Sequence, residues 1–168
     1  MNPRYFVWLA LVCVSLKVQS AQKAGQYTPA GKIAISANDR TELERGVENL
    51  GAEIEKLRVE LKGHAALAEL LPDVQIYHKA VQWPLLYDEF FRSNEVALAR
   101  TLLKQGIERA KALHEGKTPW TSATGLVVRG YVSKLDGSIQ PYGLVVPPTF
   151  RAGTEHQHHS PLLYSMQA

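Results

Sequence analysis

The chain has a single cysteine, Cys13, and it lies within an apolar stretch close to the N-terminus. If that stretch is removed on export, the mature protein forms no disulfide even in an oxidising compartment, and packing has to stabilise it. Long apolar runs are scarce as well. The run from Phe6 to Leu16 is too short to cross a hydrocarbon layer of ~30 Å as a helix, and no other segment is apolar enough to span a bilayer. An excess of one charge sign is also missing. Of the 19 basic residues, Arg4 and Lys17 fall in the first twenty positions, which leaves 17 against 16 acidic ones and lowers the net charge from +3 to +1. Because both signs are interspersed, the composition argues against a nucleic-acid partner.

Signatures of catalysis are absent in the same way. No serine stands in Gly-x-Ser-x-Gly, and the sequence has no His-Glu-x-x-His, no pair of cysteines and no glycine-rich phosphate loop. These patterns create a nucleophile elbow, a zinc site and a phosphate cradle respectively. The residues therefore assign no catalytic, cofactor-binding or metal-binding site. No internal repeat is found.

What is present begins with a leader. Arg4, the apolar run and the Val18-x-Ser20 pair ahead of Ala21 form a secretory signal peptide over residues 1–20, which implies a secreted or periplasmic protein with no stable membrane span after cleavage. Residues 21–40, rich in Gly, Ala, Ser and Gln, read as a flexible linker. A helical region is expected over 41–116. Thr41 and Glu44 fit a capping box, and Leu43, Val47, Leu50, Ile54, Leu57 and Leu61 form one apolar stripe that Gly63 can end. Pro72 suits the first turn of a second long helix, with Val74, Tyr77, Val81 and Leu85 on its apolar face and a kink at Pro84. Ser93 or Asn94 can cap a third, carrying Val96, Ala99, Leu103, Ile107, Ala110 and Leu113 as far as Gly116.

Residues 117–150 change character. Gly125-Leu126-Val127-Val128-Arg129-Gly130-Tyr131-Val132 and Ile139-Gln140-Pro141-Tyr142-Gly143-Leu144-Val145-Val146 flank an Asp136-Gly137 turn signal and read as a β-hairpin. The expected class is mainly α, three amphipathic helices followed by a hairpin. Leu71 to Val81, Tyr87 to Phe91 and this hairpin together resemble the N-terminal region of secreted α/β-hydrolases of the prolyl-oligopeptidase and esterase-like kind, over about Leu43 to Phe150. The resemblance implies that the hairpin corresponds to the first strands of a hydrolase sheet, whose oxyanion loop and nucleophile come later. It also implies a fragment of an exported serine hydrolase, inactive in itself and prolyl-oligopeptidase-like in ancestry. The other reading is an exported, non-enzymatic helical protein that binds a partner through a helical face or the hairpin edge.

The tail, 151–168, departs from the resembled pattern and reads as irregular. A truncated or frameshifted reading frame is the expectation, and a genuine short variant the alternative. His156, His158 and His159 are incidental to a polar tail in this reading, and no metal is assigned to them. Ser138, in the hairpin turn, is not expected to be a nucleophile. His78, Lys79, Trp83, Tyr87, Asp88 and Glu89 concentrate polar and aromatic groups on one helix. Trp83 and Tyr87 are expected to anchor a core, while Arg129 and Asp136 are expected to be exposed. An uncovered hairpin edge, with Leu126, Val128, Leu144 and Val146 nearby, predicts self-association through residues 125–147.

Overall fold

Ser36, rather than Thr41, starts the first helix. Its Oγ accepts from the Asp39 N–H at 3.1 Å and donates to the Asp39 carboxylate at 2.7 Å, a shorter version of the reciprocal cap expected further on. Helix α1 therefore spans Ala37–Glu60, and Thr41 sits inside it with its hydroxyl donated to the Ala37 carbonyl at 3.0 Å. The computed structural model describes residues 31–150. The expected signal peptide, most of the expected linker and the 151–168 tail lie outside the described residues. The part of the linker that is described is tied down: Ile33 N–H donates to Phe90 O at 2.7 Å and Lys32 Nζ to Tyr87 O at 3.0 Å.

The expected apolar stripe of α1 is buried along its whole length, from Leu43 to Leu61. A single helical turn, α2 (Ala65–Ala68), leads to α3 (Pro72–Tyr87), which has Pro72 in its first turn. Helix α3 runs through Pro84, whose missing N–H falls within the last turn, and ends on Asp88 in the left-handed region at φ 53°. Cations from α1 and the segment before it occupy its last carbonyls: Arg40 donates to Leu85 O at 3.0 Å and also pairs with Asp88. Positive charge there complements the helix dipole. Helix α4 spans Glu95–His114. Asn94, one of the two expected caps, is its N-cap residue but makes no side-chain cap bond; the Glu95 carboxylate instead accepts the Phe91 N–H at 2.7 Å.

Partner residues give the helix directions. Arg100 bonds Asp39 and Glu42 at the starts of α4 and α1, and His114 lies against Glu53 and Glu60 towards their ends, so these helices run parallel. Helix α3 runs antiparallel to both, with Arg40 meeting Asp88 and Arg109 meeting Asp73. Close approach is built into the sequence at Gly106, where an added Cβ would stand 2.6 Å from Leu50 Cδ2 and 2.9 Å from Tyr77 Cβ. The shared core holds Leu43, Leu50 and Leu57 of α1, Val74 and Val81 of α3, and Ala110 and Leu113 of α4.

After α4, a 3₁₀ turn at Pro119–Thr121 turns Trp120 into this core. Strands β1 (Gly125–Val132) and β2 (Ile139–Val146) pair antiparallel, from Gly125 opposite Val146 to Val132 opposite Ile139. The turn between them closes with Ser133 N–H to Ser138 O at 2.8 Å and Gly137 N–H to Ser133 O at 2.9 Å. The fold is thus mainly helical with a C-terminal hairpin, as the periodicities predict.

The hairpin lies on α3. Val127 is buried, and Leu144 and Val146 pack half-buried against the core, so two of the four residues expected beside an uncovered edge are partly covered. Gly130 makes the closest approach: a Cβ there would stand 2.2 Å from the Pro72 carbonyl oxygen. Gly130→Ala is therefore expected to force a backbone shift costing about 1–3 kcal/mol, read as a lower urea midpoint. Gly143→Ala, whose nearest neighbour is Leu126 Cδ1 at 3.8 Å, should move the midpoint far less. Equal effects would disprove the tight seat.

Candidate functional site

An acidic residue in the first turn of a helix is ordinarily a solvent-exposed partner of the helix dipole. Asp73 occupies that place in α3 and is fully buried. Its carboxylate accepts from Trp120 Nε1 at 2.8 Å, from Arg129 Nε at 3.0 and 2.9 Å on its two oxygens, and from the Gly130 N–H at 2.6 Å. Arg129, expected to be an exposed strand residue, is instead only 19% exposed and ion-paired. The correction follows from desolvation: a buried carboxylate without a cation costs several kcal/mol, so the strand that covers Asp73 has to bring one. Asp136 does lie exposed at the turn, where hydrogen bonds from Ser133 and then Ser138 lower its pKa to about 2.

A second guanidinium stands beside this cluster. Arg109 of α4 donates to the Asp73 main-chain oxygen at 3.1 Å, and its Cζ lies 5.0 Å from the Tyr77 ring centre and 5.1 Å from that of Trp120. It faces a groove of about 450 Å³ between α4, the 3₁₀ turn and β1. Sequence reasoning missed Asp73, Arg109 and Trp120. The usable signal was an arginine next to the apolar stripe of α4 followed by an isolated Trp, which together supply a cation and an aromatic lid.

The polar and aromatic group singled out on α3 is split by the structure. Trp83 and Tyr87 are 49% and 54% exposed and meet edge to face at 6.1 Å. They do not anchor the core; Trp120 does, because its turn folds back across α3 whereas Trp83 sits on the outer side of that helix. Lys79 lies 4.5 Å from the Trp83 ring centre and donates to Ile139 O at 2.6 Å, tying β2 to α3. His78, Lys79, Trp83 and Ser138 share a second cleft of about 310 Å³. There the Ser138 hydroxyl donates to Asp136 at 2.8 Å and accepts from Gln140 at 2.7 Å. Asp88 and Glu89 stay at the end of α3, with Asp88 paired to Arg40.

No model of a known protein family, no curated protein and no solved structure matches the chain.

Two measurements test this arrangement. Asp73→Ala leaves the Arg129 guanidinium buried without its carboxylate and is expected to cost about 3–5 kcal/mol. Adding Arg129→Met removes the stranded charge and should recover part of that loss in urea unfolding; strictly additive losses would show that the pair is not coupled. The second concerns His78, whose pKa is lowered from 6.5 by burial, against an opposing hydrogen bond with the Val47 main chain. The unfolded chain then binds the proton first as pH falls, so this contribution is fully present above about pH 6.5 and lost below it. His78→Gln should flatten the fall in stability on acidification, and an unchanged slope would contradict the burial.

Proposed function

We propose that the chain is an exported, helix-based module of a serine-hydrolase-like protein, without turnover of its own, that offers its hairpin to further β-structure. One observation carries this reading. The hairpin is a two-stranded sheet seated on α3 that, at the end away from its turn, exposes Leu126, 75% accessible, and its cross-strand partner Val145, 77% accessible. Val128, two positions on, adds to that exposed apolar patch, and beyond it Gly130 turns the same side of β1 against the Pro72 carbonyl. A two-stranded hairpin gains stability from neighbouring strands or a second packed layer, and a contiguous apolar face marks a place of association. Catalytic groups for ester or peptide hydrolysis come from elsewhere in such an assembly, since the Ser138 hydroxyl is committed to Asp136.

On its own, the mature chain satisfies the exposed hairpin by pairing with itself through residues 125–147. Sedimentation of residues 21–168 is expected to show concentration-dependent self-association, and Val132→Lys with Val145→Lys should abolish it while the helical circular dichroism is kept. A chain that stays monomeric over the whole accessible range would overturn the association. Esterase or peptidase turnover that co-purifies with the chain and disappears in Ser138→Ala would overturn the non-catalytic assignment.

A further inference from the structure

The Arg109 groove has the composition of a ligand site. Asp73 cannot neutralise both arginines that approach it: its carboxylate is filled by Arg129, Trp120 and Gly130, and Arg109 receives only the Asp73 main-chain oxygen. With the Asp73 carboxylate taken by Arg129, the Arg109 guanidinium that lines the groove has no ion-pair partner of its own among the described residues. Among the described residues no carboxylate lies within ion-pair distance of Arg109, and a guanidinium has five donors of which one bond accounts for one. Burial disfavours its charge and the nearby Arg129 adds to the cost, which any incoming anion would relieve. Tyr77 and Trp120 fix the guanidinium between two rings, so its fork is positioned before a ligand arrives.

The walls set the rest of the chemistry. Ala112, Pro119, Ala123 and Val127 line the groove with apolar surface, and its volume of about 450 Å³ falls in the range of small-molecule sites, ~300–1,000 Å³. Glu108, an exposed residue, also lines the groove and opposes a second negative charge on the ligand. We infer that this groove binds a monocarboxylate with a flat or branched apolar body, its carboxylate on Arg109 and its body against the Pro119 and Val127 wall. Either a free arylalkyl acid or the C-terminus of an apolar peptide presents that chemistry. The inference is independent of the hydrolase reading.

The test uses the whole mature chain and two matched pairs of probes, followed by amide and indole N–H shifts in NMR. The first pair is 3-phenylpropionate and 3-phenylpropionamide; the second is N-acetyl-leucyl-phenylalanine with a free or an amidated C-terminus. The free acids should shift the Trp120 indole N–H and the amides of Arg109 and Val127, and should bind about tenfold more tightly than the amides, as expected for one charge-assisted interaction. Arg109→Gln should bring acids and amides to the same affinity, and Glu108→Gln should tighten the acids. Tighter binding of the peptide acid identifies a peptide C-terminus as the source, and tighter binding of the free acid a small metabolite; both support the site. Acids and amides that bind alike in the unsubstituted chain, or shifts that avoid the groove, overturn it. That comparison needs no substitution and holds even if Arg109→Gln does not fold.

Discussion

Three donors converge on the Asp73 carboxylate, and they come from parts of the chain that follow it by 47 to 57 positions. Trp120 belongs to the turn after α4, and Arg129 and Gly130 to β1. Each alone would be a modest hydrogen bond. Together they make the burial of a charge tolerable, because removing water from a carboxylate is compensated only when its lone pairs are fully used. The dependence is mutual. The hairpin has little core of its own and is held by Asp73 and, at its other strand, by Lys79 on Ile139 O. The first turn of α3, in turn, stays dry only when the hairpin covers it. The buried ion pair thus decides where the hairpin sits, while the apolar stripes of the helices supply most of the stabilisation.

Those stripes were legible because helical periodicity is a local property. Leu43 to Leu61, Val74 to Leu85 and Ala99 to Leu113 each repeat at helical spacing, and most of the buried helical residues fall on them. What the spacing could not give was chemistry between distant segments. Asp73 looks like any acidic residue near a helix start, and nothing within its own turn distinguishes a buried one. Arg129 looks like an exposed strand residue until the identity of the surface beneath it is known. The start of α1 was misplaced for a related reason: Thr41-Glu44 and Ser36-Asp39 are both capping signals, and the earlier one prevails because its aspartate is also held by Arg100. The aromatic residues were exchanged similarly, since Trp83 lies in a helical pattern and Trp120 in none.

The outer faces of the helices carry a different kind of interaction. Arg100 with Asp39 and Glu42, and His114 with Glu60, lie at opposite ends of the parallel pair α1 and α4. Exposed pairs of this sort contribute about 0–1 kcal/mol each. Their value is positional: with charges matched at both ends, a one-turn slip of α4 along α1 would break both sets and also take Leu50 out of the space that Gly106 leaves open.

The pairing of Gly130 with Pro141 has a consequence for anything that meets the hairpin. Gly130 sends its N–H away from β2, to Asp73, which makes this one of the pairs whose polar groups point outward. Pro141 therefore turns a ring, and no donor, towards the free side of β2. A strand arriving along that side finds a break at Pro141, near the turn end of β2, with a carbonyl of its own left unanswered in any alignment that places it opposite the ring. The hairpin thereby acts as a register filter. The missing donor at Pro141 works against the long, uninterrupted pairing by which sheets propagate without limit.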